Sequence, residues 1–324
     1  MAGPLKGIKV IDFTRVLAGP HFTKILCDMG AEVIKIEHPE NGDLSRLGPP
    51  ITKNFSHYYV QQNIGKKCIS LDLNKKEGRV IVEQLIKKAD IVAENFRPGT
   101  LAAFKLDYDS IKDLNKKLVY VSISGYGQNG PYSKMKAYDL LIQAESGLAN
   151  INGSSQEPGR VGVSVCDIAA GMTSFQAILQ ALIARNKTGL GRGIEVSLFH
   201  SLADWMNVPY LQTVYGKRKI KRAGLHHATI APYGVYKCKQ DEQILISIQN
   251  EREWSSLCSL VLDKTDLIED DNFSNNSKRV INRNKLDQII NDIFGSMSRN
   301  DIMKRLQDAD IAFGQLGTVE DLNK

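Results

Sequence analysis

Apolar residues in the first half of the chain come in short runs, each followed by a stripe of period 3.6. The run Gly-Ile-Lys-Val-Ile-Asp-Phe at 7–13 predicts a buried strand. Pro20 suits the first turn of a helix whose stripe is Phe22, Ile25, Leu26 and Met29. Gly30 ends that helix, and 31–37 is the next strand. The alternation repeats with a strand at 66–73, a helix near 76–88 carrying Val82, Leu85 and Ile86, and strands at 90–95 and 117–124. This order predicts an α/β fold, a doubly wound parallel sheet with helices on both faces. Its loops at 14–20, 38–60, 95–100 and 125–137 then lie at the carboxyl ends of strands, where such folds build their sites.

A longer stripe (Ile168, Met172, Phe175, Ile178, Leu179 and Leu182) predicts a helix from about 167 to 187, broken by Gly189, Gly191 and Gly193 before a strand at 193–198. The texture changes after 215. Residues 216–229 are basic and polar, like a linker. "YGVYKC" and "QILISIQ" then predict a hairpin, and short helices follow near 251–262, 283–295 and 299–308. The expected organisation is a large Rossmann-like domain over 1–215, a linker over 216–229 and a smaller α+β domain over 230–310. A final segment covers 311–324.

Composition narrows the function. With 324 residues, 42% of them hydrophobic, the chain is globular. Five scattered cysteines without a C-x-x-C pair argue for a reducing, cytoplasmic setting and against a disulfide framework or a metal site. No apolar run approaches ~20 residues and the N-terminus lacks the shape of a signal peptide, so no membrane association is expected. A net charge of +6 suits an anionic small ligand. It is too diffuse for nucleic acid: the densest cluster, Lys217 to Arg222, is short and lacks interleaved aromatics, and reads as a solvated linker.

Two stretches carry candidate chemistry. "VSISGYGQNGPY" at 121–132 contains a literal G-x-G-x-x-G: Gly125, Gly127 and Gly130. A dinucleotide turn needs its third glycine inside a helix facing the pyrophosphate. Here Pro131 and a polar stretch follow, and no helical stripe starts before Tyr138, so a long glycine-rich loop is expected instead. In "GVSVCDIAAGM" (162–172), Asp167 stands where an apolar run becomes a helix. It reads first as an N-cap, ionised at pH 7, and a nucleophilic role is compatible with that, since Ala169, Ala170 and Gly171 would leave room for a ligand. Cys166 is a rival nucleophile, but no histidine is near it in sequence, and packing as a small hydrophobe suits it better.

Together "GIKVIDFTRVLAGP", "GAEVIKIE", "ISLDL", "ADIVAENFRPG", "YVSISGYGQNGPY", "KAYDLLIQAESG", the D-x-x-x-G of Asp167 and Gly171, "ALIAR-x-x-TG-x-G" and "APYGVY" resemble family III CoA-transferases of the formyl-CoA and carnitine CoA-transferase group. The likeness runs over essentially the whole chain. It implies transfer of CoA from an acyl-CoA donor to a carboxylate acceptor, with acyl-CoA as substrate and no tightly bound cofactor or metal. It implies that Asp167 is the covalent nucleophile, and that Val16, Leu17, Ala18, Asn95, Phe96, Lys136, Ala137 and Tyr138 contact CoA. His38 and Ala103 occupy positions where the family often has arginine; Lys75, Lys76 or Arg97 is then expected to help hold the phosphates. "HHATIAPYG" and "IQNEREW" resemble the branch that handles short dicarboxylates, with Arg222, Arg252, His226 and His227 as candidate contacts to a distal carboxylate. The resemblance further implies an interlocked homodimer, and a C-terminal return to the large domain of which 311–324 would be only the start. A racemase-like enzyme of the same fold and a non-catalytic acyl-CoA-binding chain are the alternatives.

Overall fold

A computed structural model of the chain describes residues 3–323. It divides into two compact units, Met1–Ala149 with Arg160–Lys217, and Asn150–Gly159 with Arg218–Lys324. Residues 150–159, which the sequence pattern assigns to the large domain, thus pack with the second unit.

In chain order up to residue 217 the elements are β1 (Lys9–Asp12), α1 (Ala18–Asp28), β2 (Glu32–Glu37), β3 (Ile51–Thr52), β4 (Phe55–Ser56), α2 (His57–Asn63), β5 (Lys67–Ser70), α3 (Lys76–Ile86), β6 (Ile91–Glu94), α4 (Thr100–Ala103), α5 (Tyr108–Ile111), β7 (Val119–Ser124), α6 (Asp139–Glu145), α7 (Leu148–Ile151), α8 (Val165–Thr188), β8 (Arg192–Ser197), α9 (Leu198–Trp205) and α10 (Asn207–Val214), all in the first unit except the second half of α7. Six strands form one parallel sheet in the order β5-β2-β1-β6-β7-β8. Successive side chains point to opposite faces. Val10, Ile91, Ala93, Val119 and Val121 join a core with α1 and α8, while Ile11, Val92 and Tyr120 join another with Val82 and Ile86 of α3. Both faces are covered, which is why the strands read as nearly unbroken apolar runs.

At 24 residues, α8 is long and apolar enough to cross a membrane by length and composition, although no apolar run of that size stands out in the sequence. It is the central helix of this unit, packed on α1, α9, β7 and β8. Gly171 explains how close it comes: an added Cβ there would stand 2.8 Å from the Ala18 carbonyl oxygen. The small residues Ala169, Ala170 and Gly171 therefore serve helix packing. They do not open space for a ligand, contrary to expectation.

In the second unit β9 (Tyr233–Lys237) and β10 (Gln243–Ser247) form the hairpin that the pattern predicts. β11 (Ala312–Gly314) adds antiparallel to β10, with Gly314 opposite Leu245, so residues beyond 311 supply an edge strand of this small sheet. α11 (Glu251–Ser256) continues into a π-helical turn, Leu257–Val261; α12 (Asp266–Glu269), α13 (Asn276–Ile281), α14 (Arg283–Phe294) and α15 (Arg299–Asp308) complete the unit. Trp254, Phe273, Phe294, Ile290 and Leu306 form its core. The expected linker is tied down within this unit. Arg222 Nε and Nη1 donate to the carbonyls of Ser154 (2.9 Å) and Asn150 (3.1 Å), and the Gly224 N–H donates to that of Gly153 (3.0 Å).

Candidate active site

In the six-stranded sheet the direction of winding reverses between β1 and β6, and a crevice is expected outside their carboxyl ends. The two loops that meet there are joined by one side chain. The Asn95 amide oxygen accepts the Arg15 N–H (2.8 Å), and its amide nitrogen donates to the Arg15 carbonyl (2.9 Å). Val16 follows with φ +66°, a left-handed conformation that a β-branched residue adopts only when its surroundings impose it. Its N–H donates to Asp43 Oδ1 (3.1 Å).

The surroundings are a buried ionic network. Lys35, fully buried, pairs with Asp43 (3.0 Å) and donates to the Thr14 carbonyl (2.5 Å). Asp12 accepts from the Thr14 N–H (2.8 Å) and Oγ1 (2.6 Å) and from Thr23 Oγ1 (2.7 Å), and pairs with Lys66 (3.1 Å). Burial by itself would raise the Asp12 carboxyl. The charges of Lys66 and Lys35, then the two threonine hydroxyls, outweigh it and hold the group at about 2. Gly19 completes the turn: a Cβ there would lie 2.2 Å from Thr14 Cβ.

Behind this loop is a cavity of 280 Å³. Its lining brings together Val16, Leu17, Ala18, Asn95, Phe96, Arg97, Lys136, Ala137, Tyr138 and Asp167, ten of the residues singled out from the sequence. His38 lines a second, apolar cavity of 200 Å³ with Phe13, Leu71, Leu73 and Phe104; Arg15 and Phe96 line both. Lys75 lines neither. It is the exposed N-cap residue of α3, and its neighbour Asn74 reaches the second cavity instead. Arg15 lines both cavities and was not singled out by pattern reading. Its guanidinium lies 4.8 Å from the centroid of the Phe96 ring, in the wall between the cavities. A loop residue has no periodicity to announce it.

The glycine-rich motif is a loop, with α6 starting only at Asp139. Gly127 (φ +100°) and Gly130 (φ +93°) take left-handed turns. Gly125 matters for close approach instead, since a Cβ there would stand 2.2 Å from Ala137 Cβ. Its bare backbone lets 136–138 pass across the end of β7, which brings Lys136 to Tyr138 into the wall that holds Asp167.

Asp167 is not the N-cap of α8. That position belongs to Ser164, and Asp167 stands in the first turn with no hydrogen bond to its carboxyl among the described residues. The capping is done by Asp139, whose Oδ1 accepts the Cys166 N–H (2.7 Å) while Oδ2 accepts Gln143 Nε2 (2.7 Å). Desolvation, and then the negative charge of Asp139, push the Asp167 carboxyl up to about 7, so the expectation of a fully ionised group at pH 7 is corrected. Burial, then Asp167 and Asp43, likewise push the Tyr58 phenol up to about 12, which keeps it a proton donor at neutral pH; the sequence pattern gave no sign of this residue either. Cys166 is fully buried, and burial with the nearby Asp139 raises its thiol far above neutrality, so it packs and does not react. Among the described residues no group of three or more His, Cys, Asp or Glu is arranged to hold a metal ion.

The family profile for CoA-transferase family III matches residues 5–324. Succinyl-CoA:glutarate CoA-transferase of Homo sapiens is 35% identical over 321 residues, which cover 98% of this chain and 73% of that protein. Succinate–glutarate CoA-transferase of Agrobacterium fabrum is 36% identical over 330 residues (98% and 81%), and succinyl-CoA:mesaconate CoA-transferase of Haloarcula hispanica 31% over 315 residues (94% and 78%). Among solved structures, a CAIB/BAIF family protein from Brucella suis superimposes with a TM-score of 0.89 at 35% identity, covering 100% of this chain and 86% of that one. With profile, sequence and fold in agreement, the chain belongs to CoA-transferase family III.

Proposed function

We propose that the protein moves CoA from succinyl-CoA to a short dicarboxylate of the glutarate class, through covalent intermediates on Asp167. One observation carries the mechanism. Asp167 is a carboxyl with no hydrogen-bond partner among the described residues, in a cavity walled by a glycine loop, Arg15 and Lys136. A carboxylate is a weak nucleophile in water, and partial desolvation together with the missing partners makes it a stronger one. The names of the relatives support the substrate class.

The ionised Asp167 attacks the thioester carbonyl. The C–S bond breaks, CoA leaves as thiolate, and a mixed anhydride remains on Asp167. The thiolate attacks the aspartyl carbonyl, releasing the donor acid and leaving aspartyl-CoA. The acceptor carboxylate attacks this thioester in turn, and the same two steps in reverse deliver the new acyl-CoA and free Asp167. One thioester replaces another, so no ATP is consumed. Tyr58 and the backbone N–H groups of the glycine loop are the candidate donors to the oxyanion. CoA lies along Val16 to Ala18, Asn95 to Arg97 and Lys136 to Tyr138. Its nucleotide end extends past Arg15 and Phe96 toward the apolar cavity of His38, and Lys75 stays in solvent.

Hydroxylamine added during incubation with succinyl-CoA should trap a hydroxamate at Asp167, read by peptide mass spectrometry. Failure to trap, with deuterium entering the acyl α-carbon instead, would replace this reading with a racemase. The homodimer is likewise our proposal. It is supported by α10, which buries none of its residues and exposes Val208, Tyr210 and Leu211. Light scattering that shows an active monomer would remove it.

A further inference from the structure

The second unit holds a cavity of its own, of 1010 Å³. Four cations line it, Lys221, Arg222, Lys237 and Arg283, against one carboxylate, Asp287. That carboxylate is already engaged: Oδ1 accepts the Tyr236 hydroxyl (2.8 Å), and Oδ2 lies 3.7 Å from His226 Nδ1, too far for a hydrogen bond. None of the four cations has an ion pair with a carboxylate among the described residues. The cavity thus concentrates positive charge that the protein does not neutralise.

A second observation points to the same place. Six buried side-chain polar atoms among the described residues have no hydrogen-bond partner, and two of them, Arg283 Nη1 and His226 Nδ1, belong to residues lining this cavity. A buried polar atom without a partner is destabilising, so two together mark a place built for one. Both side chains are held in position. Arg283 Nη2 donates to the carbonyls of His227 and Ile230, each at 2.7 Å. The His226 ring lies over Gly234, where a Cβ would come within 2.3 Å of Nδ1, and meets the Tyr236 ring edge-on.

We propose that this cavity of the second unit binds a small dianionic oxyanion, a short dicarboxylate or a phosphoryl group, through Arg283, His226 and Lys237. Oxyanion oxygens accept from Arg283 Nη1 and, once the ring is protonated, from His226 Nδ1. Burial holds the free imidazole below its usual range, against the pull of Asp287, and Arg283 adds to the depression. Lys237 and Tyr236 on β9 and Lys221 and Arg222 on the preceding segment are the other charged or titratable groups of this region. A bound anion adds negative charge beside the ring and favours its protonation, so binding near pH 7 takes up protons.

The test is calorimetric titration of the whole chain with inorganic phosphate, succinate and glutarate, at pH 7, in two buffers of different ionisation enthalpy and with CoA present to occupy the first site. The expected result is saturable binding of at least one anion with proton uptake, weakened about tenfold or more by Lys237→Gln and abolished by Arg283→Gln. Because Arg283 also holds two carbonyls, its variant counts only if its circular dichroism matches the wild type; Lys237 is exposed and needs no such condition. Preference for phosphate identifies a phosphoryl ligand, and preference for succinate or glutarate a dicarboxylate; both support the site. Absence of saturable binding by all three, or binding that Lys237→Gln leaves unchanged, overturns it. Neither outcome touches the assignment of Asp167, which hydroxylamine trapping tests separately.

Discussion

Asp12 and Asp167 are both aspartates taken out of water within the same unit, and they end at opposite extremes. Asp12 has two buried lysines and two threonine hydroxyls around it and is held at about 2. Asp167 has another carboxylate, Asp139, as its charged neighbour, and is pushed up to about 7. Desolvation acts in the same direction on both, so the partners decide the outcome. The first carboxylate is locked in a structural role and holds the Thr14–Val16 turn in shape. The second is left without compensation, which costs stability and leaves its lone pairs available. An uncompensated group beside a fully satisfied network is the pattern expected where stability is traded for reactivity.

The sharpest way to break this comparison is to delete each carboxylate. Asp167→Ala should lower kcat for CoA transfer by roughly ten-thousandfold, ~5 kcal/mol of barrier, while the fold and CoA affinity persist. A variant that retained more than a tenth of wild-type turnover would end the nucleophile assignment. Asp12→Ala should instead unfold the protein more easily, by about 3–5 kcal/mol in chemical denaturation, because Lys66 is left buried without its counter-ion. A change below ~1 kcal/mol would show that the network is dispensable.

The next effect concerns pH. In the native state the Asp167 carboxyl binds its proton near 7, and in the unfolded chain near 3.8. Its contribution to stability is therefore fully present below 3.8 and lost as pH rises through about 7. Asp167→Asn, which stays neutral throughout, should match the wild type at pH 4 and exceed it at pH 8 by up to about 4 kcal/mol, read as a higher unfolding midpoint. Over the same interval kcat/KM of the wild type should rise with pH and level off above about 7, since the ionised form attacks. A flat profile between pH 5.5 and 8 would place the working pKa elsewhere. Asp12 has the opposite sign: its contribution is present above 3.8 and lost as pH falls through about 2.

The smallest expected effect is at Lys136. It lines the Asp167 cavity, is exposed and has no ion pair among the described residues. Lys136→Ala should lower kcat and kcat/KM together by about tenfold, ~1.4 kcal/mol, if its charge steadies the transition state. An increase in KM at constant kcat would assign it to CoA binding alone. Unchanged kcat/KM would make it a solvated lysine.

Much of this was legible in the residues. The strand–helix alternation up to 215 predicted the parallel sheet because both of its faces are buried, and a doubly covered strand shows as an apolar run. The glycine-rich loop was separable from a dinucleotide turn because Pro131 and the polar stretch after Gly130 exclude an immediate helix. The motif context around Asp167, Asn95 and Lys136 named most of the cavity lining.

What the residues could not convey was set by partners distant in sequence. Asp167 reads as an N-cap because local spacing permits it, yet Asp139, 28 residues earlier, takes the backbone N–H of Cys166 and leaves Asp167 uncapped. Ala169 to Gly171 read as room for a ligand, and only the approach of α1 shows them to be a packing seam. Nothing in the sequence pattern marks Lys35 and Lys66 as counter-ions, and they become buried ones when β2 and the segment before β5 are laid beside β1. Sequence by itself determined the strands of the parallel sheet, the hairpin and the loops that gather at the strand ends, since these follow from local periodicity and residue type. The charge state of each carboxyl was decided by the tertiary structure alone, because desolvation and Coulomb interactions depend on distance in space and not along the chain.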